Sequence, residues 1–326
     1  MTLVLDDATV RSVFDWKRAV DALREAYGAG PDDVRFPARR MARGDHGWIR
    51  TLSGVPGGDA LMGLKVIAAS PANRRVSYLI QLFDQRTAEL VALLDGHSIT
   101  GYRTAATTAL AADVLVPAGA IDLGVIGSGF EAMNHVRALA AIRPIGAVRV
   151  FSPRPESRAR FVAALADIPV RIEAIDSAEA AVANATVVLC AARSRDEIPT
   201  LRGAWLRPGM TVLSIGSTLP EQREVDPETV ARADVLVADM AEEVLHETGD
   251  LLAATAAGID AAAKTVPLAD LVGGRHPGRQ SAEQILLYKS VGSAVQDLAV
   301  AELCTRIAER QGLGARLPLE IKPVEK

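Results

Sequence analysis

The stretch IDLGVIGSGFEAMNHVRALAA, residues 121–141, decides the fold, because an apolar run, a glycine turn and a helical pattern follow one another in it without a break. The turn reads Gly127-Ser128-Gly129-Phe130-Glu131-Ala132, a G-x-G-x-x-A that is too short to mean much alone. Its surroundings give it weight. From Ile121 onwards the strand-like runs IDLGVI, AVRVF, VRIEAI, TVVLCA, MTVLSI and DVLVA are interleaved with helical patterns, among them residues 131–141, 155–166 and 177–184. The third of these opens on DSAE, a capping residue followed by an acid in the first turn. Such alternation predicts an α/β fold, a doubly wound parallel sheet with helices on both faces. The glycine turn follows the first strand and opens the first helix, which is the context a dinucleotide fingerprint requires. There Gly127 permits the tight turn, Gly129 clears the backbone for a pyrophosphate, and Ala132 lets helix and strand pack closely. The phosphates would rest on the helix N-terminus, with Phe130 and Glu131 in its first turn.

The end of the next strand separates the two nicotinamide cofactors. An acid there binds the ribose 2′-hydroxyl of NAD, whereas a basic residue accommodates the 2′-phosphate of NADP. The stretch VFSPRPESR offers no acid at the strand end and supplies Ser152 and Arg154 as donors, with Arg158 either a third donor or a solvated helix start. NADP(H) is therefore favoured over NAD(H).

With 326 residues the chain is long enough for two domains. Hydrophobic residues make up 49% and charged residues 23%, an ordinary globular composition. A formal net charge of -4 and a pI near 5.8 argue against nucleic acid or an anionic membrane as the main partner. No apolar run reaches the roughly 18 residues needed to span a bilayer, and the N-terminal MTLVLDDATVRSVFDWKRAV carries acids where a secretion signal would be basic. Cys190 and Cys304 are far apart and read as buried free thiols in a reducing cytoplasm. No Cys/His cluster has metal-ligand spacing.

The first third has a different grammar. Trp16, Val20, Leu23 and Tyr27 recur at helical spacing, with Gly28 or Gly30 as the stop. Residues 35–94 read as short strands, and SYLIQLF and AELVALL, joined by Asp84 to Thr87, predict a hairpin. SITGYRTAATTALAADVL resumes helical spacing, with Ser98 or Thr100 as candidate cap. The final segment predicts a strand, a Ser-Val-Gly turn and an amphipathic helix stopped by Gly312.

Several cations sit in apolar company. Lys65 interrupts LMGLKVIAA, where it is either a strand-edge lysine reaching to water or a functional group. Arg103 and Thr104 head a small-residue helix, as surface residues or as a second phosphate clamp. Arg39 and Arg40 are adjacent in an extended segment and point to opposite faces. The five histidines form no pair and receive no role.

GLKVI, DGHSITGYRTAATTALAA, GVIGSGFEA, IGSTLPEQREVDPE, HETGDLL and LLYKSVGSAVQDLAVA occur in this order. Over nearly its whole length the chain thereby resembles the ornithine cyclodeaminase/mu-crystallin family. The resemblance implies a homodimer, each subunit having a Rossmann domain (119–294) and an α+β substrate-binding and dimerisation domain (1–118 with 295–326). It implies that Arg39 binds a substrate carboxylate, that Lys65 is the active-site lysine, and that Arg103 and Thr104 touch the cofactor phosphates, Arg103 also facing substrate. It places Ile215 and Ser290 against the cofactor, Ser290 in the loop that approaches the nicotinamide.

One position departs from the cyclodeaminase pattern. Those enzymes carry an aspartate where this chain has Thr218, and a hydroxyl is too weak a base for deamination and ring closure. Glu221 and Glu224 lie past Pro220 on a turn, where solvated positions are expected, and Asp250 in a Gly-Asp step is expected to end a helix. The residues that remain suit reduction of a small imine or ketimine carboxylate to an amino acid, or the reverse oxidation. A keto acid with an amine is an equivalent substrate. An ornithine cyclodeaminase-type lyase, an amino-acid condensing dehydrogenase and a non-catalytic NADPH or small-molecule binder stay open as alternatives.

Overall fold

A computed structural model describes every residue except Met1, Arg193, Arg195, Asp196, Leu319, Glu320 and Lys326. The chain divides into two units, Met1–Thr107 with Ser293–Lys326, and Thr108–Gly292. The division falls inside one helix.

The first unit holds β1 (Leu3–Leu5), α1 (Asp7–Val13), α2 (Trp16–Gly28), β2 (Arg40–Arg43), β3 (Trp48–Gly54), β4 (Met62–Ser70), β5 (Arg75–Phe83), β6 (Leu90–Asp95) and the start of α3 (His97–Leu115). It is completed by α11 (Ala294–Gln311) and β15 (Ala315–Arg316). Its strands form one sheet in the order β15-β1-β6-β5-β4-β3-β2, antiparallel except for β1 with β6. Side chains of successive strand residues point to opposite faces. Leu52, Lys65, Ile80 and Leu94 stand in register and are all buried, and α11 packs on β3, β4 and β5. The next row, Ser53, Leu64, Gln81 and Leu93, faces the other way and is half-buried or exposed.

The predicted hairpin is β5–β6, its turn tied by Asp84 Oδ1 accepting from the Arg86 and Thr87 N–H groups at 2.8 Å each. α2 begins on the Asp15 side chain and buries Val20, Leu23 and Tyr27 as its spacing requires. α11 ends on Gly312 in the left-handed region, φ 67°. The start of α3 differs from expectation. Neither Ser98 nor Thr100 caps it; the helix begins at His97, whose N–H donates to Asp95 Oδ1 at 2.9 Å, while the Ser98 N–H donates to Asp7 Oδ1. Acids outside the predicted segment reach these groups first. Arg103 and Thr104 consequently lie beyond the first turn of α3, so the helix-terminus argument for a phosphate clamp does not apply to them.

The second unit is the doubly wound α/β domain. Its elements are β7 (Ile121–Ile126), α4 (Phe130–Ile142), β8 (Ile145–Phe151), α5 (Pro155–Ala164), β9 (Arg171–Ala174), α6 (Ala178–Val182), β10 (Val187–Cys190), β11 (Thr211–Ser214) and α7 (Pro227–Arg232). They continue with β12 (Val235–Ala238), α8 (Ala241–Glu247), α9 (Gly249–Ala256), β13 (Thr265–Pro267), α10 (Leu268–Val272) and β14 (Leu286–Lys289). The sheet runs β13-β12-β14-β11-β10-β7-β8-β9 with every pair parallel. From β7 the chain steps outward through β8 to β9, then returns to β10 on the other side of β7. Ligands of such sheets bind in the crevice at that reversal, outside the strand C-termini, and the glycine turn after β7 lies there. Both cysteines are buried and free. Among the described residues no helix is long and apolar enough to cross a membrane.

His135 of α4 is fully buried, Nδ1 lying 2.7 Å from the Glu131 carbonyl and Nε2 3.1 Å from the Thr108 hydroxyl. A carbonyl only accepts, so the proton sits on Nδ1. Burial lowers the imidazole pKa from 6.5 to about 4. A depressed folded pKa means this contribution is present above the unfolded value and is lost as pH falls from there toward about 4. Chemical denaturation of the parent should therefore lose about 2 kcal/mol more between about pH 7 and 4.5 than His135→Gln does. Equal losses would show that the imidazole does not titrate in this range.

Candidate active site

The glycine turn has the geometry its sequence predicts. Gly127 adopts φ 112°, and a Cβ there would lie 2.5 Å from the Ala191 carbonyl oxygen. Its N–H donates to the Phe151 carbonyl at 2.8 Å, joining the turn to the end of β8. Gly129 is the N-cap of α4 and brings no capping side chain; a Cβ there would meet nothing within 4 Å. The first-turn N–H groups of a helix lack intrahelical acceptors, so α4 presents donors to open space. Phe130 is exposed, Glu131 half-buried and Ala132 buried against the sheet. This cradle fits a dinucleotide pyrophosphate.

Beside it, the Ser128 and Ser152 hydroxyls are 2.8 Å apart. Arg154 is exposed at the start of α5. Arg158 turns inward instead, donating to the Ser152 carbonyl and pairing with Asp176, 2.8 Å each, with its guanidinium over the Phe151 ring. It braces the strand end, so the solvated helix start does not describe it.

The first unit contains a buried charge cluster. Lys65 on β4 donates from Nζ to Asp297 Oδ1 of α11 at 2.7 Å, and both side chains are buried. Arg103 Nε approaches the same oxygen to 2.9 Å, as a charge contact without hydrogen-bond alignment, and Arg103 Nη1 donates to Gln296 Oε1. Gln296 Nε2 in turn donates to the Tyr27 hydroxyl at 2.9 Å. The Lys65 pKa is lowered to about 8, first by burial and then by the neighbouring Arg103, against the pull of Asp297. Two cations share one carboxylate, leaving an excess positive charge. Among the described residues Asp297 alone accepts from the Lys65 ammonium, which has three N–H donors, and Asp297 Oδ2 has no hydrogen-bond partner. Arg39 is half-buried just before β2, and Arg40 is exposed. Thr104 Oγ1 donates to the Thr100 carbonyl at 2.7 Å.

The ornithine cyclodeaminase/mu-crystallin family model matches residues 6–311. The chain belongs to that family. Among its relatives, the Δ1-pyrroline-2-carboxylate reductase of Paracoccus denitrificans is 31% identical over 92% of this chain and 95% of the relative. The ketimine reductase mu-crystallin of Mus musculus is 31% identical over 69% of this chain and 67% of its own. The structure of Thermococcus litoralis Δ1-pyrroline-2-carboxylate reductase in complex with NADH and L-proline superposes with a TM-score of 0.88 at 26% identity, covering 97% of this chain and 100% of that one.

Thr218 is half-buried and its N–H donates to Gln222 Oε1 at 2.9 Å. Two nearby acids depart from expectation. Glu224 is fully buried, not solvated, and Asp250 opens α9 rather than ending a helix. Asp250 Oδ2 pairs with Lys289 Nζ at 2.9 Å, with both side chains fully buried. A local reading assigns charged turn residues to water, whereas this lysine, distant in sequence, draws them inside. Glu221 is exposed. Ile215 is buried after β11, and Ser290 Oγ donates to Asp239 Oδ2 at 2.6 Å, an acid that also accepts from the Val291 and Gly292 N–H groups. Asp239 thus shapes the loop that carries Ser290.

Sequence reasoning missed Asp297, which looks like one acid among many in a helix. Breaking a buried ion pair from one side leaves an uncompensated charge, which costs about 3–5 kcal/mol. Asp297→Asn should therefore destabilise the protein by about 3 kcal/mol, and Lys65→Met should recover part of that loss. Strict additivity in this double-mutant cycle would show that the two side chains are not coupled.

Proposed function

We propose that this chain is an NADP(H)-preferring oxidoreductase that reduces a small imine carboxylate to an amino acid. The observation that carries the reading is the buried Lys65 ammonium with donors left over beside Asp297 and Arg103. When bound at the glycine turn, the nicotinamide cofactor supplies the hydride. Arg39 holds the substrate carboxylate through a two-point guanidinium contact, and the excess positive charge around Arg103 attracts the same anion. Lys65, with its pKa near 8, is protonated at neutral pH and delivers a proton to the imine nitrogen. Asp297 fixes its direction. Thr218 offers a hydroxyl and not a carboxylate as a base for expelling ammonia, which favours reduction of a preformed C=N bond over cyclodeamination. Thr104, Ile215 and Ser290 are assigned to the cofactor by their family motifs.

The cofactor preference rests on Ser152 and on exposed Arg154, with no acid at the end of β8. The first unit is assigned to substrate binding and dimerisation. The free face of its sheet carries Leu64, Val66, Leu93, Ile49 and Leu79, the last two being 45% and 41% exposed, as a surface covered by a second copy would. The two buried thiols suit a reducing, cytoplasmic setting.

Lys65→Met should abolish most reduction of Δ1-pyrroline-2-carboxylate while leaving NADPH binding intact. In the parent, kcat for reduction should fall about tenfold per pH unit above about 8 as Lys65 loses its proton, while the reverse oxidation rises over the same range. A Lys65→Met rate within a few-fold of the parent's, or the same basic limb in both, would remove Lys65 from the chemistry. Arg154→Ala should weaken NADPH binding about tenfold and leave NADH nearly unchanged; equal losses would place the arginine away from the 2′-phosphate.

A further inference from the structure

The second unit buries more charge than the proposed reaction uses. Glu224, Asp250 and Lys289 are each fully inaccessible, and together with Ser214 they close a ring. Glu224 Oε2 accepts from the Ser214 hydroxyl at 2.7 Å, and Lys289 Nζ donates to the same hydroxyl oxygen at 2.9 Å. Lys289 pairs with Asp250 Oδ2 at 2.9 Å, and Asp250 Oδ1 accepts from the Glu224 N–H at 2.7 Å. Taking ions out of water costs several kcal/mol each, and apolar groups of similar volume often serve stability as well or better. Stability alone does not account for the ring.

Its contacts to backbone do. Glu224 Oε1 accepts from the Ala192 N–H at 2.9 Å, just after β10, and Oε2 accepts from the Gly216 N–H at 2.7 Å, just after β11. Ala191 and Ala192 form the wall against which Gly127 turns, both lying within 3.1 Å of where its Cβ would be. Gly216 is equally tight, since a Cβ there would lie 2.3 Å from Glu224 Oε1. One carboxylate therefore fastens two loops at the C-terminal end of the sheet, where the glycine turn lies. No apolar side chain can accept two N–H groups from separate loops.

We infer that Glu224 is a positioning residue for the nicotinamide cofactor, holding the loops after β10 and β11 in register with the glycine turn. This rests on the reading of that turn as a cofactor cradle. Both backbone groups it meets can only donate, so a proton on Oε2 would oppose the Gly216 N–H. Lys289 on β14, Asp250 on α9 and Cys190 on β10 are the titratable groups around it. Burial, with Asp250 adding to it and Lys289 opposing, lifts the Glu224 carboxyl to about 7, and burial keeps the Cys190 thiol neutral by pushing its pKa well up. The fastening is then complete above about pH 7 and loosens below it, and cofactor affinity follows.

The test is binding of NADH, which has no 2′-phosphate to titrate, followed by fluorescence from about pH 6 to 8.5 in the parent and in Glu224→Gln. Losing a charge-assisted acceptor should weaken binding about tenfold at pH 8 and abolish the weakening that the parent shows below pH 7. Amide exchange at Ala192 and Gly216 should be faster in the variant, while KM for the imine carboxylate changes less than about twofold. Affinity within about twofold of the parent, with the same pH dependence, would overturn the inference. Should Glu224→Gln not fold, Ser214→Ala removes one donor to the carboxylate and should move the acidic limb of binding to higher pH; an unmoved limb would overturn it equally. A parent protein that binds neither dinucleotide would sink the cofactor reading itself. Normal binding by the parent and the variants alike sinks only the role of Glu224.

Discussion

Asp297 Oδ1 lies 2.7 Å from Lys65 Nζ and 2.9 Å from Arg103 Nε, and the first unit is arranged around that oxygen. The three side chains come from β4, α3 and α11, so one carboxylate ties a sheet to two helices. Each charge resists burial, and their mutual attraction offsets that only in part. The arrangement leaves positive charge and ammonium donors over. It is a poor way to stabilise a core and a good way to receive a small anion.

The second unit buries a lysine and carboxylates to the opposite end. Lys289 directs its ammonium at Ser214 and Asp250, and Glu224 accepts from Ser214, Ala192 and Gly216. Little capacity is left for a ligand. The groups hold backbone in place at the end of the parallel sheet, beside the turn that presents free helix N–H groups. The two clusters therefore divide the labour of a reductase. In the reading proposed above, one meets a carboxylate-bearing substrate and handles a proton, while the other keeps the cofactor cradle in shape.

The parallel sheet is legible because short, nearly continuous apolar runs alternate with helical spacing from Ile121 onwards, and each run forms a strand. The glycine turn was legible because its conformational demand is local. Lys65 drew notice because an isolated cation in LMGLKVIAA is costly to bury. Its partner did not, since Asp297 is 232 residues away and sits in a helix where acids are ordinary. A local reading puts Glu224 in solvent and Asp250 at a helix end for the same reason, their stabilising cation being visible only in three dimensions. Strands β1 and β15 escaped because each is short and they pair across almost the whole chain. The start of α3 was misplaced because Asp95 and Asp7, not the hydroxyls within the pattern, reach its first N–H groups.

The claim that this family member reduces imines rather than cyclising diamino acids is tested most directly by product analysis with two substrates. Supplied with Δ1-pyrroline-2-carboxylate and NADPH, the protein should form proline with one NADPH oxidised per molecule. Supplied with ornithine and catalytic NAD or NADP, it should release neither proline nor ammonia. Stoichiometric proline and ammonia from ornithine at an ordinary enzymatic rate would contradict the account and show that another residue supplies the base absent at Thr218.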